Sequence, residues 1–531
     1  MLLEGSMGSL KHRKRLEKLD FKLGNSIYTD IRQRIPFYKS DWRDAWHYRI
    51  LPACLNIYFA NLLPELAFAL DMFSKTDNSF GVNEVLLASV LGSVVFSLLS
   101  SQPLCIVGVT GPITVFNYTI YNIFHDRNTP YFPFLCWICL WSAVFHWIIA
   151  LSNLVHFVKF ITKFSCEIFG LYVAFIYLEK GVQVLTNQLQ HGLANTFLAI
   201  TIALLFMVIG WICNSIGSSS LFNHKIRVFL LDYGLVASII FFSGFQHIGK
   251  MRQIDLSKLP TSKAFLPTQD RSWFIKFWKI SVGDVFLAIP FAVVLTILFY
   301  FDHNVSSLMA QDPSFPLKKP SGFHWDFFLL GITTFVSGIL GIPAPNGLIP
   351  QAPMHTATLC VTKVEEDDEE KQDYKVKVVI ERVIEQRVSN FLQGLMTLGT
   401  MTGPLLVVLH QIPQCVLAGL FWVMGFSAIA GNNITRNIFW MFADRKVLSQ
   451  GHVLNHCRSR RAVWLYTCLQ LLGFGATFAI TQVDKASIGF PIVILLLIPF
   501  RTYLMPKWFY EEDLEILDEN VGILAYREGA F

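Results

Sequence analysis

Ile342-Pro-Ala-Pro-Asn-Gly-Leu-Ile-Pro-Gln-Ala-Pro-Met-His-Thr-Ala-Thr-Leu359 decides the reading of this chain. The stretch is apolar and nearly uncharged, yet proline and glycine interrupt it again and again. Pro343, Pro345 and Pro350 keep the residues before them extended, Asn346-Gly347 is a turn dipeptide, and Pro353 opens a short helix. A second stretch, Ser101-Gln-Pro-Leu-Cys-Ile-Val-Gly-Val-Thr-Gly-Pro-Ile-Thr-Val115, follows the same plan. Pro103, Gly108 and Gly111 keep it open, and Pro112 starts a helix running toward Phe124. Both are too apolar for loops and lack Ser/Asp-rich flanks. Each follows two full apolar spans in its own half of the chain. Paired interrupted segments at matching positions point to an inverted-repeat transporter, with two half-helix N-termini meeting near the membrane midplane. Their unpaired N–H groups and positive dipole ends make an anion site.

The rest of the chain agrees. Only 15% of the 531 residues are charged and 53% are hydrophobic, whereas a soluble domain is roughly a quarter charged. A deficit over so long a chain means an all-α polytopic membrane protein. Apolar runs long enough to cross the hydrocarbon core lie at 52–70, 84–101, 132–151, 193–214, 228–247, 285–301, 327–342, 391–412, 415–431, 462–483 and 486–500. Another, 155–186, carries Lys159, Lys163 and Glu167. With the segments 103–123 and 342–361 the total is about fourteen membrane elements, each about 20 residues.

With the N-terminus inside, most of the 43 lysines and arginines fall on inside segments, so both termini are expected in the cytosol. The expected division is a basic cytosolic segment 1–49 with an amphipathic helix, a first repeat 50–247, an extracellular loop 248–275, a second repeat 276–505 and a cytosolic tail 506–531. The second repeat includes a cytosolic acidic loop, 361–387, read as solvated. No secretory signal precedes Leu51. The sequons at Asn117, Asn304 and Asn433 fall in membrane or cytosol, so no glycosylation is expected.

Asp302 closes the charge-free run 285–301, and semi-apolar residues follow it. A carboxylate so deep costs at least a few kcal/mol and reads as a functional group. It can accept hydrogen bonds from substrate hydroxyls or carry a coupled proton; the plain alternative is a helix-end carboxylate. Gln351, at the second half-helix, offers both donors and an acceptor, or caps backbone. His355 sits one turn later and is read either as a packing residue or as a proton carrier. Glu65 lies within a span beside Asn61 and Pro64, as in a helix that lines a polar cavity. The candidate substrate site is therefore Asp302, Gln351 and Asn61, with the half-helix starts Thr110, Gly111, Pro112, Ile113, Thr114, Val115 and Pro350, Ala352, Pro353, Met354. Asp302, Glu65 and His355 are the candidates for proton coupling.

Cys136-Trp-Ile-Cys139 sits in an uncharged run and reads as packing. There is no HExxH, no Walker loop and no Ser/His/Asp cluster, so neither an enzyme nor a cofactor or metal is expected. The net charge of +5 belongs to loops that flank the membrane and is no argument for nucleic acid.

Ile57-Tyr-Phe-Ala-Asn-Leu-Leu-Pro64, Gly111-Pro-Ile-Thr-Val-Phe116, Ser321-Gly-Phe-His-Trp-Asp326, Asn346-Gly-Leu-Ile-Pro-Gln-Ala-Pro-Met-His-Thr356 and Glu385-Gln-Arg-Val-Ser389 carry a resemblance. Over residues 40–505 the chain resembles the borate transporters of fungi and plants, a branch of the bicarbonate transporter (anion exchanger) family. The resemblance implies a seven-plus-seven inverted repeat with a core domain of spans one to four and eight to eleven. Spans five to seven and twelve to fourteen would form a gate that mediates a homodimer in the lipid bilayer. The substrate would lie between the third and tenth half-helices. Animal anion exchangers carry arginine where Gln351 stands and usually glutamate where Asp302 stands. Glutamine removes that fixed charge and offers mixed hydrogen bonding, which suits tetrahedral borate better than chloride. The expectation is a plasma-membrane exporter of borate or boric acid working by alternating access. A vacuolar location, transport of another anion or a nucleobase on the same fold, and a non-transporting membrane sensor or scaffold are the rivals.

Overall fold

The computed structural model describes residues 22–518 apart from 126, 128, 220, 313–314, 366–376, 445–452 and 484–485. Residues 1–21 of the basic segment, most of the acidic run in the 361–387 loop and the tail beyond 518 lie outside the described residues.

The membrane helices are α1 (Ile50–Lys75), α2 (Val82–Leu99), α3 (Gly111–Phe124), α4 (Tyr131–Leu151), α5 (Lys163–Asn187), α6 (Leu193–Ser218), α7 (His224–Phe245), α8 (Val282–Ala310), α9 (Phe323–Leu340) and α10 (Gln351–Thr358). They continue with α11 (Val388–Thr400 and Gly403–His410), α12 (Gln414–Gly431), α13 (Arg460–Thr481) and α14 (Ser487–Lys507). Among the described residues 10 helices are long and apolar enough to cross a membrane, or 12 if each of two bent pairs counts as one span. The short helices α3 and α10 bring the segments to the expected fourteen. One of the bent pairs is α11, read from sequence as a single run. It turns by 82° at Met401-Thr402, before Gly403-Pro404.

Two small sheets interrupt the helical architecture. Strands β1 (Val107–Gly108) and β2 (Asn346–Gly347) pair with each other, as do β3 (Cys360–Glu365) and β4 (Lys377–Val383). The second sheet occupies the stretch read as a solvated loop. It stands at the start of α1, where Leu359, Cys360, Val383 and Ile384 bury an apolar cluster with Ile50, Ala53 and Leu104.

Packing falls into two groups. In one, α4 lies against α8 and α9, α11 against α1 and α2, and α10 against α8 and α1. In the other, α12 lies against α5 and α6, α6 against α7, and α13 against α5 and α14. The groups meet where α1 touches α12 and α8 touches α14. Lys180 of α5 crosses that seam to Asp71 of α1 (2.8 Å), and Lys75 binds the other oxygen (3.2 Å). Cys136 and Cys139 pack as expected: a Cβ on Gly338 of α9 would stand 2.7 Å from the Cys139 Cβ.

Residues 22–49 fasten the face from which α1 starts. The helix Asn25–Arg34 brings the Asp30 carboxylate to the start of α9, where it accepts the N–H groups of His324 and Trp325 at 2.9 and 3.0 Å. Burial pushes the Asp30 carboxyl from 3.8 up to about 8, against those two donors. Asp41, fully buried, accepts from Arg34 (2.7 Å), Arg387 (2.9 Å) and Lys319 (2.9 Å). Arg387 also holds the carbonyls of Ser97 and Ser100 (3.0 and 2.8 Å), where α2 gives way to the first broken segment. One buried cluster thus ties the N-terminal segment to parts of both halves.

This cluster yields a stability test. Asp41→Asn strands Arg34 and Arg387 in a dry site, leaves Lys319 to Asp44, and should cost about 3–5 kcal/mol. Asp44 binds Lys319 alone and is half exposed (46%), so Asp44→Asn should cost less than about 1 kcal/mol. Thermal unfolding of the two variants in detergent checks the order; equal losses would contradict it.

Candidate substrate site

The broken segments cross deep inside the protein. Val107 stands opposite Gly347 and Gly108 opposite Asn346, antiparallel, and Leu348 N–H donates to Ile106 O at 2.9 Å. At membrane depth extended backbone must be satisfied by protein, and here each segment satisfies the other. The crossing requires glycine. A Cβ on Gly108 would stand 2.7 Å from Glu65 Oε1, and one on Gly347 would stand 2.9 Å from the His303 Cα. The symmetric register places the two half-chains in inverted relation about this rung.

From the crossing each segment enters a helix. Thr110 caps α3, its Oγ1 accepting the Ile113 N–H at 3.4 Å, and Pro112 stands in the first turn. Pro350 precedes α10, with Gln351, Ala352 and Pro353 in its first turn. Neither helix has an acidic residue in its first turn, so no carboxylate on the helix itself offsets the positive end. Thr110 to Val115 are buried, whereas Pro350 and Met354 are exposed and Pro353 is half-buried. The α10 side is therefore the open edge of the site.

Asp302 is buried well inside α8, which continues to Ala310. It is not a helix-end carboxylate. Its Oδ2 accepts from Asn346 Nδ2 at 3.2 Å, while Asn346 Oδ1 accepts the Gly347 N–H at 2.8 Å. Asp302 thus reads the rung through Asn346, a residue the sequence reading quoted without a role. Gln351 reaches α1: its Nε2 donates to Ala60 O at 3.4 Å. That carbonyl is free because Pro64, four residues on, has no N–H to give it. Asn61, the next residue of α1, donates to Gln393 Oε1 at 3.3 Å.

These engagements leave a pattern. Asp302 Oδ1, Gln351 Oε1 and Asn61 Oδ1 are all buried, and none has a hydrogen-bond donor among the described residues. Each is an acceptor. A ligand that satisfies them must bring donors, and one that suits the helix starts must bring negative charge.

The other candidates are placed differently. His355 is buried with both ring nitrogens engaged, Nδ1 with Leu104 O (3.0 Å) and Nε2 with Ser389 Oγ (2.6 Å). That is the geometry of a neutral imidazole strapping α10 to the first broken segment and to α11. Glu65 lies at the first strand of the rung, against Gly108 and Ser89. The Asp71–Lys180 pair was also missed, since sequence reading marks charges near span ends only as boundaries.

The chain matches the model of the HCO3- transporter integral membrane domain over residues 22–194 and 183–522. It is 78% identical over 515 residues to C543.05c of Schizosaccharomyces pombe, designated a transporter without a stated substrate, covering 97% of this chain and 99% of that one. It is 47% identical over 513 residues to boron transporter 1 of Saccharomyces cerevisiae, covering 94% of this chain and 86% of that one. Among solved structures, the transmembrane domain of the cyanobacterial bicarbonate transporter BicA superposes with a TM-score of 0.52 at 14% identity, over 85% of this chain and 98% of that one, a likeness of fold. With nearly its whole length matched, the chain belongs to the bicarbonate transporter family of integral membrane proteins.

Proposed function

We propose that this protein transports borate, exporting it across the plasma membrane by alternating access. The observations that carry the reading are three buried, unengaged acceptor oxygens, one of them on the first residue of α10, and two half-helix starts without an acidic first turn. Tetrahedral borate is an anion with four hydroxyl groups. Its charge suits the helix ends, and its O–H groups can donate to Asp302 Oδ1, Gln351 Oε1 and Asn61 Oδ1. Chloride has no donor and would leave those acceptors unsatisfied, at about 1–3 kcal/mol each. The boron transporter of budding yeast among the relatives supports the same substrate.

In this reading α1–α4 with α8–α11 form the core that carries the site, and α5–α7 with α12–α14 form the gate and the homodimer contact. The two packing groups support the division. Both termini face the cytosol. The Asp71–Lys180 pair then lies toward the outside, where α1 ends, and acts as a latch between core and gate. The protein acts as a carrier and not as an enzyme.

Two outcomes test this. In proteoliposomes Asp302→Asn replaces a buried carboxyl acceptor worth about 1–3 kcal/mol, so protein-dependent boron flux should fall about five- to a hundredfold. Gln351→Arg should abolish boron flux, and unchanged flux in either variant would count against the site. Asp71→Asn should weaken the latch. In a background depleted of other cysteines, a Val115→Cys reporter should then react faster with an impermeant thiol reagent added outside. Equal rates with and without Asp71→Asn would remove the latch from the account.

A further inference from the structure

Glu65 is unexplained by the site as described. It lies within α1, 1% exposed, and the Ser89 hydroxyl is the one hydrogen-bond donor beside its carboxyl group among the described residues. It abuts the crossing itself: the space for a Cβ on Gly108 lies 2.7 Å from Glu65 Oε1 and 3.3 Å from Ser89 Oγ. Gly108 is the rung partner of Asn346, and Asn346 binds Asp302. Two carboxyl groups therefore approach one rung, Glu65 at Gly108 of the first strand and Asp302 through Asn346 of the second. Each comes from the corresponding helix of its own half, Glu65 from α1 and Asp302 from α8.

Among the described residues no ion pair engages Glu65. On the elements packed against α1, Lys180 of α5 is committed to Asp71, as is Lys75 of α1 itself. His355 of α10 is committed to Leu104 and Ser389. Glu84 of α2 is turned to Gly81 and Thr268 at the opposite end of its helix from the crossing. Asp302 of α8 is bound to Asn346; α3, α11 and α12 carry no acidic or basic side chain apart from His410; and Lys225 and Arg227 of α7 stand in the first turn of that helix. Tyr58, on its own helix, is the titratable neighbour. A metal ion fits poorly, since alkali and alkaline-earth ions take several oxygens and only Ser89 accompanies the carboxyl. An ionised carboxylate with a single hydroxyl donor and no counter-charge in a dry site is strongly disfavoured; a carboxylic acid is not.

We infer that Glu65 is a second proton-binding site, separate from Asp302, whose ligand is the coupled proton. The inference rests on the transporter reading. The carboxylate takes up H⁺ when the α1 side is hydrated and holds it as the neutral acid while the crossing is sealed, as it is here. Asp302 meanwhile engages the substrate. Proton and borate thus bind at the two strands of one rung, and the strand crossing transmits the state of each to the other.

The test uses purified full-length protein in sealed liposomes, with protein-free vesicles subtracted. Boron uptake driven by an imposed pH gradient is compared with boron counterflow at equal pH, and the ratio is the readout. In wild type the gradient should raise the ratio several-fold. In Glu65→Gln the ratio should fall to its no-gradient value, and Glu65→Asp should restore part of it. A Glu65→Gln protein that keeps the wild-type ratio overturns the proton site. Wild type with neither uptake nor counterflow overturns the transport reading instead. A second measurement stands apart from flux and from whether the variant transports. Infrared spectra of the purified protein at neutral pH should show a protonated-carboxyl C=O band that Glu65→Gln removes and Glu65→Asp shifts. A Glu65→Gln spectrum identical to wild type would also overturn the inference.

Discussion

The rest of this protein depends on one short pairing, Val107-Gly108 with Asn346-Gly347. Hydrocarbon offers no partner to extended backbone, so a helix broken at membrane depth survives only if protein completes its hydrogen bonds. Here two breaks complete each other. Both glycines follow from that choice, because α1 and α8 press into the space where side chains would stand. The half-helix ends follow too. Each segment passes from the crossing straight into a helix, α3 capped by Thr110 and α10 preceded by Pro350.

A second consequence concerns α1 and α8. Helices that pack against a polar crossing can bear polar groups that no lipid-facing helix tolerates. Asp302 is held by Asn346, and Glu65 lies against Gly108. Pro64 shows the economy of the arrangement, since it releases the Ala60 carbonyl that Gln351 then grips from the other half of the chain. Far from the crossing, the Asp41 cluster fixes the ends of these helices. The Asp71–Lys180 pair spans the seam across which movement is proposed.

Much of this was legible beforehand, and the reason is chemical. Pro103 and Pro112, and Pro343, Pro345, Pro350 and Pro353, closely spaced and joined by glycine, end a helix where the single Pro64 only frees a carbonyl, so the two breaks and their half-helices are written in residue type. Apolar length gave the span count. What stayed hidden depends on partners distant in sequence. No local pattern sets the register of Gly108 against Asn346, and Asn346 has no role until that register is known. The β3–β4 hairpin had a visible sign, the alternation Lys375-Val-Lys-Val378, which is a strand period inside a stretch otherwise read for its charge. Asp71 and Lys180 are 109 residues apart by numbering and look like ordinary span boundaries until α1 meets α5. The bend in α11 lay within an apolar run whose Gly403-Pro404 was outvoted by hydrophobicity.

The central claim is that buried acceptors at this crossing bind a hydroxyl-bearing anion. Boron-11 NMR of borate with the purified protein tests it most directly, because bound and free tetrahedral borate exchange and the resonance broadens on binding. The account predicts broadening by the wild-type protein that chloride does not compete away and that Asp302→Asn largely removes. Absence of broadening, or broadening that Asp302→Asn leaves intact, would contradict it.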